Sequence, residues 1–529
     1  MAGPADVTTD LDPGRRDLSA APIHPVLVAL LFPLYLLAAN VDQWPDLSSA
    51  WAPIGLCLAL GSILFAICAR LFGGWQRGGL VTSLLLVLFF TFGHVRLALA
   101  GFGIGSGILA ASWLALAIAG LTLIGRNKRH VGQATRALTV VTFLLVAFNL
   151  ATIGTYLVGQ SGQTIGQASA EVPVGEAAQR PDIYYLVFDR YANAETLREF
   201  YGFDNHEFLA QLEIRGFAIA SDSWANYGGT ALSLVSSLSL NYLDEATFST
   251  SDPATYGPIH AALRGHLAVP ETLTGIGYEY VHIANWWEPG TSNVDADQVL
   301  LYRRESEFAT ALLETTALTL VAGLGPPSGD PEVHQMGSAN RAHTLYEFEQ
   351  AEAASSRPGP TYVFAHFLVP HPPYVFTADG SAPSVEEAAS RAPRDAYLEQ
   401  LLWTNQRILT AIDILLDVPP GDEPIIILQA DEGPYPPRYE ANQDGFAWLD
   451  ATPAEVQENF GILNAIRLPA LGPAEMSQRG FHDRISPVNT FRLIFTEYFG
   501  ADLPLLEDRT YLSPDKRHLY QFSPYSRSD

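Results

Sequence analysis

Cysteine is almost missing. Cys57 and Cys68 are the only 2 in 529 residues, and both fall in one apolar run. That excludes a disulfide framework and a cysteine-rich metal site, so the polar part of the chain must hold together without cross-links. Basic residues are scarce too: 30 Lys and Arg stand against 56 Asp and Glu, for a formal charge of −26. A surface of that sign repels phosphate backbones, which argues against nucleic acid as a partner. A mean hydropathy of +0.12 is high for so acidic a chain. The two facts agree once the chain is cut in two, because charge of either sign is rare between His24 and Val158. A secretory leader pattern is also missing. Residues 1–23 are polar, Arg15 and Arg16 are interleaved with acids, and no small-residue cleavage site follows the first apolar run. They read as a disordered cytoplasmic tail.

What is present begins with five apolar runs: His24–Val41, Trp51–Phe72, Gly79–Ala100, Gly105–Gly125 and Ala137–Val158. Most approach the ~20 residues that cross a bilayer as a helix. Residues 24–158 are therefore expected to form a five-span membrane bundle, the first span being short and holding Pro33. Arg15, Arg16, Arg70, Arg77, Arg126, Lys128, Arg129 and Arg136 all fall on alternate connections. The positive-inside rule then puts the N-terminus in the cytoplasm and everything after Val158 outside. His94 and Arg96, near the end of the third run, read as an interfacial pair reaching for water or as a contact to a lipid headgroup. Residues 159–179, rich in Gly, Ser, Gln and Ala, read as a linker.

Residues 180–529 alternate strand-like and helix-like runs. Strands are expected at Ile183–Phe188, Tyr278–Ala284, Thr361–Leu368, Ile425–Leu428 and Ala465–Leu468. Helices are expected at Glu195–Phe200, His206–Arg215, Thr230–Leu238, Glu305–Leu320, Ala392–Leu416 and Val488–Phe499. Such alternation predicts an α/β domain with a mixed, mostly parallel sheet between helices.

Four places in this domain can carry chemistry. Ile183–Phe188 ends at Asp189, a carboxylate at the C-terminal end of a buried strand, where open α/β sheets place their sites. Asn226-Tyr227-Gly228-Gly229-Thr230 opens an apolar helical run, so Thr230 sits at a helix N-terminus that favours an anion. The Thr361–Leu368 run carries His366 and leads to Pro370-His371-Pro372-Pro373-Tyr374, and the Ile425–Leu428 run leads to Asp431-Glu432-Gly433. Singly, each has a bland reading as a turn, a helix cap or a structural histidine. Jointly, they bring carboxylates, imidazoles and a hydroxyl to one sheet edge, the parts of a metal-assisted phosphoryl-transfer site. Trp286-Trp287 and Tyr435 read as packing or as pocket wall, and the remaining histidines as structural or exposed.

This combination resembles the alkaline phosphatase/sulfatase superfamily, within it the membrane-anchored lipoteichoic acid synthase-like and phosphoethanolamine transferase-like enzymes. The resemblance implies about five N-terminal spans followed by an extracytoplasmic sulfatase-like domain. It implies that Asp189 is an acidic metal ligand and that Thr230, in Gly-Thr-Ala-Leu-Ser, is the nucleophile. His371 resembles a substrate-side histidine. Asp431 resembles the first residue of the family's Asp-His-Gly metal triplet. Glu432 departs from it, standing where the histidine is expected. As a ligand, a third carboxylate beside Asp189 and Asp431 would favour Mn²⁺ or Mg²⁺ over Zn²⁺. The Cys/Ser-x-Pro-x-Arg pattern of formylglycine sulfatases is absent around Asn226–Ser233.

The expected reaction moves a lipid-derived phospho-headgroup to an extracytoplasmic glycan or lipid. The metal would be held by Asp189, Thr230, Asp431 and Glu432, and His371 or His366 would move the proton. Two alternatives stand beside it: a catalytically degenerate, sulfatase-like scaffold, and a phosphodiesterase that hydrolyses its substrate.

Overall fold

The structure is a computed structural model that describes residues 22–41, 47–100, 106–127, 129–160, 172–175, 180–243, 248, 254–302, 307–320, 331–469 and 471–527. The expected tail and most of the expected linker lie outside these residues. The chain divides into two compact units. One comprises Met1–Ala39, Ser48–Gly154 and Ala311–Leu320; the other comprises Asn40–Leu47, Thr155–Thr310 and Val321–Asp529.

The first unit holds α1 (His24–Ala39), α2 (Ser48–Leu71), α3 (Trp75–Ala100), α4 (Ser106–Arg126) and most of α5 (Val131–Gln160). Among the described residues, four helices, α2 to α5, are long and apolar enough to cross a membrane. This marks a membrane protein. α1 is apolar but only 16 residues long and contains Pro33, so four helices qualify where five spans were expected. These helices are hydrophobic all round, as a lipid-solvated bundle requires: Leu114, Leu123 and Phe148 are large, apolar and exposed. Where α1 meets α3, His24 Nδ1 and Ser83 Oγ share a buried hydrogen bond of 2.7 Å.

Ala311–Leu320 belongs to this unit, although the sequence reading gave it to the outer domain. It lies against α3 at Gly93, whose N–H donates to the Thr315 carbonyl at 2.9 Å. A Cβ on Gly93 would fall 1.9 Å from the Glu314 carbonyl oxygen, so only glycine allows this approach. Gly93→Leu should therefore lower the thermal midpoint in detergent, by about 1–3 kcal/mol of stability. It should also expose 311–320 to protease, and wild-type resistance in that variant would count against this packing.

The second unit is built on a seven-stranded sheet in the order β2-β7-β6-β1-β5-β3-β4. Its strands are β1 (Ile183–Phe188), β2 (Ala218–Ile219), β3 (Glu279–Ile283), β4 (Gln298–Leu300), β5 (Thr361–Phe367), β6 (Ile425–Gln429) and β7 (Asn464–Arg467). β1 is central, parallel to β5 on one side and to β6 on the other, while at one edge β7 runs antiparallel to β6 and β2 antiparallel to β7. β1, β5 and β6 are buried along their whole length. Alternate β1 residues serve two cores: Tyr184, Leu186 and Phe188 face one, Ile183, Tyr185 and Val187 the other. Both faces are thus covered by helices, which is why these strands read as continuous apolar runs rather than alternating ones. Of the expected linker, Val172 and Gly175 are bonded to Thr272 Oγ1 and the Phe499 carbonyl, so that stretch is anchored to this unit.

Candidate active site

The register of the three central strands sets the site. Val187 pairs with His366 of β5 and with Gln429 of β6. Two residues beyond Val187 lies Asp189, and two beyond Gln429 lies Asp431. The C-terminal sheet edge therefore gathers Asp189, His366 and Asp431. They are all buried, and their ligand atoms lie within 4.8 Å of one another. His366 Nε2 is 3.6 Å from Asp189 Oδ2 and 3.6 Å from Asp431 Oδ2.

Each member is fixed from behind. Asp189 N–H gives β1 its last ladder bond, to the Phe367 carbonyl at 2.9 Å, and Tyr397 Oη holds the Arg190 carbonyl at 2.9 Å. Asn285 Nδ2 bonds the His366 carbonyl at 2.8 Å and ring Nδ1 at 3.1 Å, which aims Nε2 at the two carboxylates. Gln429 accepts from Tyr185 Oη at 2.8 Å and donates to Asn464 and Thr490, holding the strand end before Asp431.

The chemistry of this group calls for a cation. Asp189 Oδ1, both Asp431 carboxylate oxygens and His366 Nε2 are buried without a hydrogen-bond partner. Burying unpaired carboxylates side by side is costly. Burial, and then the neighbouring Asp431 charge, push Asp189 well above the usual carboxylate range. Two carboxylates and one imidazole with orphaned atoms at one point fit a divalent metal ion.

Glu432 is not in that group. Its carboxylate faces Arg190, with Nε 4.0 Å from Oε1 and both side chains buried. The Arg190 guanidinium lies over the Tyr435 ring, 3.5 Å from its centroid. Burial and the Asp431 charge push Glu432 up to about 7, against the opposing pull of Arg190. Thus the structure joins His366 to Asp189 and Asp431, and turns Glu432 away to the arginine.

Thr230 and His371 meet Asp189 and Glu432 in one cleft of ≈ 300 Å³. Thr230 is the first residue of the Thr230–Leu238 helix. Gly229 before it has φ 108 and ψ 130, and no side chain caps the helix. The N-terminal N–H groups of the helix are thereby left for a ligand. Gly228 packs where a Cβ would come 2.9 Å from the Phe460 ring. The loop carrying His371 is tied by Gln400 Nε2, which donates to its carbonyl at 2.9 Å. Burial, then the Arg190 charge, hold the His371 imidazole well below its usual pKa. Trp286, Trp287 and Tyr435 line the cleft, as do His260, which the sequence suggests is structural or exposed, and Lys516, which nothing in the sequence singles out. Arg190 and Asn285 were also missed. Arg190 had a signal, its position directly after Asp189; Asn285 had none, since its role depends on β3 lying beside β5. Among the described residues, one other group of possible ligands, His266, Glu271 and Asp295, lies at the surface, where the imidazole already contacts both carboxylates.

No family model matches the chain, and no curated protein matches it. Several solved structures are similar to it. The C-terminal periplasmic domain of EcEptC from Escherichia coli, in complex with Zn, shares 10% identity over 63% of this chain and 87% of that chain, at a TM-score of 0.41. A protein in the alkaline phosphatase superfamily from Vibrio parahaemolyticus shares 12% over 65% and 76%, also at 0.41. The integral membrane lipooligosaccharide phosphoethanolamine transferase A (EptA) from Neisseria meningitidis shares 11% over 89% and 94%, at 0.39. At this level of likeness, function has to be argued from the cleft's own residues.

Proposed function

We propose that this chain is a membrane-anchored, metal-dependent enzyme of the alkaline phosphatase/sulfatase type, which moves a phosphoryl-linked headgroup by way of Thr230. The observation that carries this reading is the shared cleft: a hydroxyl at an open helix N-terminus, beside a buried carboxylate group short of one cation. Asp189, His366 and Asp431 would hold a divalent ion. Such an ion supplies Lewis-acid polarisation of a phosphoryl oxygen and lowers the pKa of a nearby hydroxyl. The preference for Mn²⁺ or Mg²⁺ drew on Glu432, which is engaged by Arg190; two carboxylates and an imidazole suit Mn²⁺ and Zn²⁺ alike.

Thr230 Oγ forms a bond to phosphorus, and the bond from phosphorus to the leaving alcohol breaks. The N–H groups of the Thr230–Leu238 helix stabilise the phosphoryl oxygens. His371 is held neutral, so it starts as the base that takes the Thr230 proton and returns it to the leaving oxygen. It then takes the proton of the acceptor, an alcohol or water, whose oxygen bonds to phosphorus as the bond to Thr230 Oγ breaks, and returns that proton to Oγ. The four spans argue for a lipid headgroup ester as donor, and an extracytoplasmic glycan or lipid as acceptor.

The outer location follows from charge. With α2 to α5 crossing, Arg70, Arg77, Arg126, Lys128, Arg129 and Arg136 share one side and the second unit takes the other, whether or not α1 crosses. If α1 crosses as well, the N-terminus is cytoplasmic. A phosphatase reporter fused after Gly159 should be active only outside the cytoplasm.

The activity is tested on the full-length chain in detergent with a fluorescent phospholipid, with and without a chelator. Release of the headgroup should stop on chelation and return with Mn²⁺ or Zn²⁺. One contact favours a second reading, that of a catalytically silent binding protein. Asn285 Nδ2 lies 3.1 Å from His366 Nδ1, and in the tautomer where Nδ1 accepts, the ring proton sits on Nε2, pointing at the carboxylates in place of an ion. No activity under any ion would support that second reading, whereas equal activity with and without chelator would overturn the metal dependence of the first.

A further inference from the structure

Resting on the metal reading above, we infer that Arg190 is a built-in cation that takes up Glu432, leaving a site charged for one divalent ion. The argument starts from geometry. Arg190 follows Asp189 directly and adopts a left-handed backbone, φ 61, which a residue other than glycine rarely holds. Tyr397 Oη fixes that turn through the Arg190 carbonyl. The side chain then runs inward to stack on Tyr435 and face Glu432, and its Nε is buried with no hydrogen-bond partner. A buried guanidinium needs a counter-charge, and a buried third carboxylate beside Asp189 and Asp431 needs a cation. Each answers the other.

Charge balance follows. Three carboxylates (Asp189, Asp431 and Glu432) and one guanidinium leave two negative charges, which one divalent ion neutralises. Without Arg190 there would be three, and the site would hold its ion more tightly or recruit a second through Glu432. Without the Glu432 charge there would be one, and the ion would be held weakly. If Glu432 were itself a ligand, deleting Arg190 as well could not restore its loss.

The test is Mn²⁺ binding to the full-length protein in detergent, followed by electron paramagnetic resonance of the free ion. Wild type should bind one ion per chain. Arg190→Met should bind ~10-fold or more tightly, or take a second ion, and Glu432→Gln should bind ~10-fold or more weakly. The double variant should return to within ~3-fold of wild type. Arg190→Lys keeps the charge without the planar stack and should bind as wild type does, which separates charge from folding. Arg190→Met with unchanged or weaker affinity would overturn the inference. So would a double variant as weak as Glu432→Gln alone. A wild-type chain that takes up no ion would overturn the metal reading along with it, whereas ion uptake indifferent to Arg190 would overturn this inference alone.

Discussion

Asp431→Asn should abolish stoichiometric metal binding and, with it, the stabilisation that metal gives. Asp431 offers two of the orphaned oxygens, and its side chain is fully buried, so no other group can substitute for it. In wild type, an ion at about 100 times its Kd stabilises the folded state by ~2.7 kcal/mol. For a unit of this size, that raises the thermal midpoint by about 3–4 °C. In Asp431→Asn the shift should vanish. The metal-free midpoint of the variant should, however, lie above metal-free wild type, because one of three crowded carboxylates has lost its charge.

The same crowding predicts a pH dependence. Folding raises Glu432 from 4.5 to about 7, so the folded state holds a proton that the unfolded state has released. Stability without metal should therefore be greatest below the unfolded value and fall as pH rises from about 4.5 to about 7. Asp189, also raised, adds in the same direction. Saturating metal should flatten this slope. His371, held low, slopes the other way, so the check is the comparison with Glu432→Gln: a metal-free wild type that loses no more stability over that range than this variant would contradict the buried Glu432 site.

Thr230→Ala should reduce turnover by ~10³-fold or more while leaving metal content and midpoint unchanged. The hydroxyl opens the helix without capping it, so its loss costs the fold little, within about 0.5 kcal/mol. Thr230 was expected both as nucleophile and as metal ligand, and this variant separates the two roles. Metal content halved or worse would make it a ligand; intact metal with lost turnover would make it the nucleophile alone. Thr230→Ser, which keeps the hydroxyl, should recover part of the rate.

Much of the architecture was legible because burial leaves a local mark. Ile183–Phe188 had to be a doubly covered strand, since six apolar or aromatic residues in a row have no polar face to show. Tyr278–Ala284, Thr361–Leu368, Ile425–Leu428 and Ala465–Leu468 each correspond to a strand of the sheet within two residues at either end. Thr230–Leu238 was bounded correctly by its two glycines and by the apolar run after them. The two-residue β2 and three-residue β4 left no such mark, because edge strands that short carry no periodicity. The long helix Pro331–Ala353 was missed for another reason: its many polar residues, Glu347 and His343 among them, hide a buried face.

The sequence by itself determined that an apolar bundle precedes an α/β unit, and which strand ends carry acid, imidazole and hydroxyl groups. Those are properties of runs and neighbours, readable along the chain. Only the tertiary structure decided how these groups divide. His366 joins Asp189 and Asp431 because β5 pairs with β1 in one register, which no local pattern encodes. Glu432 leaves that group because Arg190 turns inward at a left-handed residue. Ala311–Leu320 joins the first unit because Gly93, more than two hundred residues earlier, has no side chain to keep it away. In each case the deciding quantity is a direction or a distance between segments remote in sequence, and composition carries no record of it.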